Sequence, residues 1–260
     1  MTFDNVFITG ASSGLGRGLA LHYARAGSTV FAAARRKEQL DSLAADAAGG
    51  KGKIVPIVLD VTDLDAQVAS QDEARRQAGG HLDLVIANAG TNFPQHASRL
   101  DWRKVQQILN LNLNAACTTI AAALPSMCER NRGTVVGVSS LAALRGLPAN
   151  AAYCASKAAL GTFLESIRVD LTGTDVRALC IYPGYVKTEL TARHKEPMPF
   201  LMETEDAVRV MTRGIERGQA QISFPLPLNA ALKVASALPD GLYTALAGRM
   251  SAKPKKRPPV

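Results

Sequence analysis

The chain has little of the residue types that most often announce specialised chemistry. Four cysteines occur in 260 residues, Cys117, Cys128, Cys154 and Cys180. They form no CxxC pair and no Cys/His cluster with metal-ligand spacing, so neither a metal nor a disulfide framework is expected. Scattered buried thiols in a reducing compartment are the plain reading. Aromatics make up only 5% of the chain, and no basic stripe interleaves with them, which argues against nucleic acid as a partner. No signal peptide is expected, because residues 3–7 run straight into strand and motif residues; the expected location is cytoplasmic. The longest uncharged run, 105–128, is long enough to span a bilayer. It carries Gln106, Gln107, Asn110, Asn112, Asn114 and Pro125, so a buried helix is expected instead.

Acidic residues are also outnumbered, 22 against 30 basic, for a formal charge of +8. Lys253, Lys255, Lys256 and Arg257 crowd the last eight positions, and the rest of the chain carries only +4. Residues 253–260 are expected to form a disordered basic tail. Hydrophobic residues reach 47%, enough for a sizeable core.

Short apolar runs alternate with helical periods. Strands are expected at 6–9, 29–34, 54–59, 84–87, 133–138, 176–182 and 221–224, apolar throughout as in sheets covered on both faces. Helices are expected at 14–26, 37–48, 63–78, 102–129, 150–171 and 203–217, the last with Thr204 as N-cap. A further helical stretch, 229–247, is interrupted at Pro239-Asp240-Gly241, and 194–199, with two prolines, is expected to be a mobile loop. Strand–helix alternation implies an α/β fold with a parallel, doubly wound sheet. No linker divides the chain, so residues 1–250 are read as one Rossmann-type domain, with 191–250 as substrate loop and C-terminal extension.

The turn Thr9-Gly10-Ala11-Ser12-Ser13-Gly14-Leu15-Gly16 follows the first strand and opens a helix. Glycines suit a tight turn and close backbone approach to a pyrophosphate, and a helix N-terminus attracts phosphate. The second strand ends Ala33-Ala34-Arg35-Arg36, without the carboxylate that would bind both ribose hydroxyls of NAD. A guanidinium can hold a 2′-phosphate, so NADP(H) is favoured over NAD(H). Asp60-Val61 closes the third strand, where a carboxylate can accept the adenine amino group. Asn88-Ala89-Gly90 closes the fourth; Asn88 is either a cofactor contact or a structural tie between strands.

Tyr153 and Lys157 lie four apart in a helix and share a face. A neighbouring ammonium and an oxidised nicotinamide would lower the tyrosine pKa, allowing it to give a proton to a carbonyl or take one from an alcohol. Ser140, at the carboxyl end of a strand, faces the ligand crevice of an open parallel sheet and can hydrogen-bond a substrate oxygen.

With these motifs in this order, residues 3–190 resemble a classical short-chain dehydrogenase/reductase. The match rests on the glycine turn, Asn88-Ala89-Gly90, Asn112, Ser140, Tyr153-Cys154-Ala155-Ser156-Lys157 and Pro183-Gly184. The resemblance implies that Tyr153 is the acid/base, that Lys157 holds the nicotinamide ribose and lowers the tyrosine pKa, and that Ser140 orients the substrate oxygen. It implies that Asn112 holds a water of a proton relay. Cofactor contacts are implied at Gly10, Ser12, Ser13, Gly14, Leu15 and Gly16 of the turn, and at Val61, Ala89 and Gly90. Pro183, Gly184 and Val186 join them, with Thr188 on the carboxamide. Arg35 sits where the NADP-preferring subgroup carries a basic residue, whereas Ser13 departs from the second basic position of that subgroup. A seven-stranded sheet, pro-S hydride transfer, no metal, and a homodimer or homotetramer built on the helices around Asn112 and Tyr153 also follow.

Leu141, Leu144, Leu147 and Pro148, with Met198, Phe200, Leu201 and Met202, either line an apolar pocket for a hydrophobic carbonyl or alcohol or belong to the core. Residues 230–247 are read as an oligomer contact in preference to a lid or a membrane-surface helix. A non-enzymatic NADP-binding regulator, or epimerase or dehydratase chemistry on the same fold, are the alternative functions.

Overall fold

The computed structural model describes residues 3–192 and 197–250. Seven strands form one sheet: β1 (Asn5–Thr9), β2 (Thr29–Ala34), β3 (Lys53–Val58), β4 (Leu84–Ala87), β5 (Gly133–Val138), β6 (Val176–Pro183) and β7 (Gln221–Phe224). The spatial order is β3-β2-β1-β4-β5-β6-β7, and every neighbouring pair is parallel. The chain winds outward from β1 to β3, then crosses back so that β4 pairs with the other side of β1. Beyond the carboxyl ends of β1 and β4 the two flanking loops diverge and leave a crevice, the usual ligand site of such sheets.

Successive side chains of a strand point to opposite faces, and both faces are apolar here. Val6, Ile8, Val30 and Ala32 pack with Leu19 and Tyr23 of α1 (Gly14–Ala26), Leu40 and Leu43 of α2 (Lys37–Asp46), and Val208 and Met211 of α7 (Thr204–Glu216). Phe7, Phe31 and Val85 face the other way, toward Ala74 of α3 (Leu64–Gln77), Ile120 and Met127 of α5 (Ala115–Glu129), and Leu160 and Leu164 of α6 (Ala151–Asp170).

Several boundaries and contacts differ from the sequence expectations. β3 alternates exposed and covered residues, with Val58 57% exposed, because it is an edge strand; its Pro56 is tolerated for the same reason. The helix expected over 102–129 is α4 (Trp102–Leu109), a π-helical turn (Asn110–Asn114) and α5. The buried side of this helix packs on the sheet and on α3 and α6. Thr204 does not cap α7: Glu203 is the capping position, and the Thr204 hydroxyl donates to the Lys187 carbonyl at 2.5 Å. Only Cys154 and Cys180 are buried; Cys117 is partly covered and Cys128 exposed. The C-terminal stretch begins earlier than expected, as α8 (Leu226–Ala237) and α9 (Asp240–Met250), the latter starting at the residues expected to interrupt it. Neither is buried: α8 leans on the second core through Leu228 and Leu232, while α9 is tied by Tyr243 Oη donating to the Gly146 carbonyl at 2.6 Å. Residues 193–196, part of the expected mobile loop, and the basic tail at 253–260 lie outside the described residues.

The second core holds α6 in place. Leu164 is fully buried there, whereas Leu226 on α8 is 74% exposed. Leu164→Ala is expected to cost about 2–5 kcal/mol in urea unfolding, since it removes transfer energy and leaves a cavity. Leu226→Ala is expected to change stability by less than about 0.5 kcal/mol. Equal effects would contradict this assignment of the core.

Candidate active site

The turn between β1 and α1 is pressed against the end of β4. Gly10 and Gly14 take left-handed φ values of +68° and +53°. A Cβ on Gly16 would lie 2.3 Å from the Gly10 carbonyl oxygen and 2.5 Å from Asn88 Nδ2, so no larger residue fits. Asn88 is the structural tie: its Nδ2 donates to the Thr9 and Gly10 carbonyls at 3.0 and 3.2 Å, while the Asn88 and Ala89 N–H groups donate to Thr9 Oγ1. Ser13 stands at the N-cap of α1 without capping it through its side chain. The first-turn N–H groups of α1 therefore face the crevice with the positive end of the helix dipole, as a pyrophosphate requires. Ser12 is buried and Leu15 packs against the core below the turn.

The two arginines after β2 part company. Arg35 is exposed, and its charge reaches Asp60, just beyond the end of β3. Burial raises the Asp60 carboxyl, but hydrogen bonds from the Thr62 N–H (3.0 Å) and hydroxyl (2.8 Å), with the Arg35 charge, hold it below its ordinary value. Asp60 Oδ1 is thus engaged by Thr62, and Val61 beside it is buried in the second core. Arg36 turns back to the glycine turn: its Nη2 donates to Ser12 Oγ at 3.0 Å and Ser13 Oγ at 2.8 Å, and its Nη1 pairs with Glu189 Oε2 at 2.9 Å. The sequence motif contains both arginines and Arg35 carries the expectation, whereas the side-chain contacts to the glycine turn are made by Arg36. Strand parity carried the signal for Arg36, since it continues the register of Ala32 and Ala34, which face α1. Nothing local in sequence marks Glu189.

Tyr153 and Lys157 reach the crevice because α6 lies close to β5. A Cβ on Gly137 would sit 2.6 Å from Leu164 Cδ1, so a larger residue would push the leucines of α6 aside. Ser139 Oγ donates to the Lys157 carbonyl at 2.7 Å and fastens the helix to the strand end. Lys157 Nζ, 4% exposed as a residue, donates to the Val138 carbonyl at 2.8 Å and lies 5.8 Å from the Tyr153 ring centroid. Desolvation lowers its pKa to about 8. Ser140 Oγ accepts from the Ala142 N–H at 3.1 Å, donates toward the Pro183 carbonyl at 3.4 Å, and is within hydrogen-bonding reach of the Tyr153 phenol. Burial pushes that phenol up and the Ser140 hydrogen bond opposes it. Burial is thus the largest influence on this phenol and outweighs the Ser140 hydrogen bond.

Asn112, fully buried, braces the floor of the site. Its Nδ2 donates to the Thr91 carbonyl (2.9 Å) and Ser156 Oγ (3.2 Å), and its Oδ1 accepts from the Thr91 N–H at 2.8 Å. Both amide hydrogens are used, so this residue can hold a relay water only through Oδ1 or its backbone carbonyl. A Cβ on Gly90 would lie 3.4 Å from both Asn112 Oδ1 and Lys157 Nζ, which sets these groups side by side behind Gly90.

On the far side, Gly184 is packed against Pro225 and Leu228, and Val186 is buried and bridged to Met202. Thr188, its N–H bonded to Thr191 Oγ1 at 2.9 Å, packs against Gly14. Of the residues read as either pocket or core, Leu141 is core at 1% exposure and Met202 packs against the core, while Phe200 and Leu201 are exposed. A small cleft beside Tyr153, with room for little more than a water, is lined by Phe93, Leu100, Ile108, Ala149 and Ala152 together with Asn92, Gln95 and Asn150. The described residues contain no cluster of metal-ligating side chains.

Comparison with known proteins agrees with this geometry. Residues 4–199 match the family model described as short chain dehydrogenase. An uncharacterized oxidoreductase of Myxococcus xanthus is 52% identical over 96% of this chain and 98% of its own length. A short-chain dehydrogenase from Sphingobium yanoikuyae in complex with NADPH superposes with a TM-score of 0.80 at 24% identity, covering 98% of each chain. A short chain dehydrogenase from Mycobacterium paratuberculosis bound to NAD gives 0.76 at 22%, over 87% of this chain and 98% of that one. At these identities the two structures speak for the fold.

The buried lysine can be tested without any ligand. A lysine whose pKa falls to about 8 on folding leaves the unfolded chain binding more protons between pH 8 and its ordinary value of 10.5. Stability should rise with pH across that window in the wild type relative to Lys157→Met, by up to about 3 kcal/mol. Parallel stability curves for the two proteins would contradict a desolvated Lys157.

Proposed function

The chain belongs to the short chain dehydrogenase family and is an oxidoreductase, and on that premise we propose that it is NADP(H)-dependent and acts on a carbonyl or secondary alcohol of a hydrophobic substrate. One observation carries the reading: Tyr153, Ser140 and Lys157 meet at the carboxyl ends of β5 and β6, across the crevice from a glycine turn that Arg36 overhangs. The residues fit a dinucleotide. Gly10 and Gly16 let the turn close tightly against Asn88 and Ala89, the uncapped first turn of α1 faces the pyrophosphate position, and a guanidinium stands beside Ser12 and Ser13.

The nicotinamide supplies or accepts the hydride. Tyr153 donates the proton to the carbonyl oxygen in reduction, a task suited to a phenol that burial keeps protonated. Ser140, its oxygen fixed by the Ala142 N–H, turns its hydrogen to the same substrate oxygen as charge develops there. Lys157 binds the nicotinamide ribose, and its nearby charge favours the phenolate as Tyr153 loses its proton. Asn112 keeps Thr91 and Ser156 in place behind that lysine. Thr188 and the Pro183-Gly184 turn close the nicotinamide end. Arg36, with Arg35 farther out, receives the 2′-phosphate, whose charge an acidic residue at the end of β2 would repel. The exposed Phe200 and Leu201, in the loop between β6 and α7, offer apolar surface for a hydrophobic substrate. The reading includes a cytoplasmic location, which four free thiols suit, and a homo-oligomer, for which the exposed Leu100 and Trp102 offer apolar surface.

Fluorescence titration should show NADPH binding more tightly than NADH, with the preference reduced at least about tenfold in Arg36→Ala, the loss of a charge-assisted phosphate contact. In a screen of apolar ketones, Tyr153→Phe should retain NADPH binding and lose about 10²-fold or more in turnover. Equal affinity for both nucleotides, or an active Tyr153→Phe, would count against the proposal.

A further inference from the structure

Arg36 is shared between groups on two walls of the crevice. Its Nε and Nη2 point to Ser12 Oγ at 3.3 and 3.0 Å, and Nη2 also to Ser13 Oγ at 2.8 Å, on the cofactor side. Its Nη1 pairs at 2.9 Å with Glu189, which arrives in the loop after β6. Glu189 directly follows Thr188, whose side chain packs against Gly14 of the same glycine turn. A guanidinium recognises carboxylate and phosphate through the same fork of N–H donors, so the two anions compete for it. Arg36 and Glu189 side chains are 42% and 59% exposed, which lets an incoming anion exchange with the carboxylate without disturbing the core.

We propose that Glu189 is a specificity-determining residue that acts as a tethered competitor of the cofactor 2′-phosphate for Arg36. The inference rests on the NADP reading above and deepens it. Binding of a 2′-phosphorylated nucleotide displaces the carboxylate and releases residues 188–190 from the cofactor wall. A nucleotide without that phosphate leaves the pair intact. Glu189 therefore lowers affinity for NADPH and not for NADH, and it links occupancy of the phosphate position to the loop that approaches the nicotinamide end. An exposed ion pair is weak, so the effect is severalfold and does not abolish binding.

The test is a double-mutant cycle with dissociation constants for NADPH, NADH and adenosine 2′,5′-bisphosphate, measured on wild type, Glu189→Gln, Arg36→Ala and the double variant. Glu189→Gln is expected to tighten NADPH and the bisphosphate about three- to fivefold, with NADH changed less than about twofold. In the Arg36→Ala background the same substitution should have no effect, because the partner is gone. Tightening of equal size in both backgrounds would show a distant charge effect and overturn the pair. No tightening in a protein that prefers NADPH would also overturn it and leave the cofactor assignment standing. A wild type that binds neither nucleotide would remove the cofactor assignment itself.

Discussion

The site depends on one close approach: the β1–α1 turn lies so near the end of β4 that Gly16 touches the Gly10 carbonyl and the Asn88 amide. Asn88 holds that contact with two side-chain hydrogen bonds, and Thr9 returns two more through its hydroxyl. The first two satisfy the Thr9 and Gly10 carbonyls, and the other two satisfy the N–H groups of Asn88 and Ala89. The same tightness leaves the α1 N-terminus facing the crevice, uncapped by Ser13. A helix N-terminus left open in this way attracts anions, and the Arg36 guanidinium lies beside it on Ser12 and Ser13.

The reactive half depends on a second approach, that of α6 to β5 across Gly137. It carries Lys157 into a place where its ammonium is nearly stripped of water and bonded to a strand carbonyl. Desolvation here has opposite effects on neighbouring groups, pushing the Lys157 pKa down and the Tyr153 pKa up. The π-helical turn at Asn110–Asn114 completes the arrangement. Such a turn inserts one residue into the helical register, a feature often found at functional sites. It lies where Asn112 is fully buried against Thr91 and Ser156.

Much of this was legible in sequence because the informative signals are local and periodic. The unbroken apolar runs at β1, β2 and β4 identify strands covered on both faces, and the glycine spacing after β1 identifies the turn. Tyr153 and Lys157 share a face by helical period alone. What remained hidden depends on tertiary contact. The edge position of β3, and with it the alternation of its residues, is decided by which strand has no outer neighbour. The π turn breaks an otherwise continuous helical pattern without a proline or glycine to mark it. Asn88 could be resolved as a tie only once the carbonyls it bonds were located. The partnership of Arg36 with Glu189 spans 153 residues and has no counterpart in local pattern. The cleft residues Phe93 and Leu100 lie in a segment with little regular structure, where periodicity gives no guidance.

The central claim, that the crevice between the glycine turn and α6 is an NADP site, is tested most directly by a crystal structure of the protein grown with NADP⁺. The pyrophosphate is expected against the first turn of α1, the 2′-phosphate on Arg36 with Glu189 displaced, and the nicotinamide beside Tyr153. Nucleotide bound elsewhere on the protein, or a 2′-phosphate touching neither Arg35 nor Arg36, would contradict it.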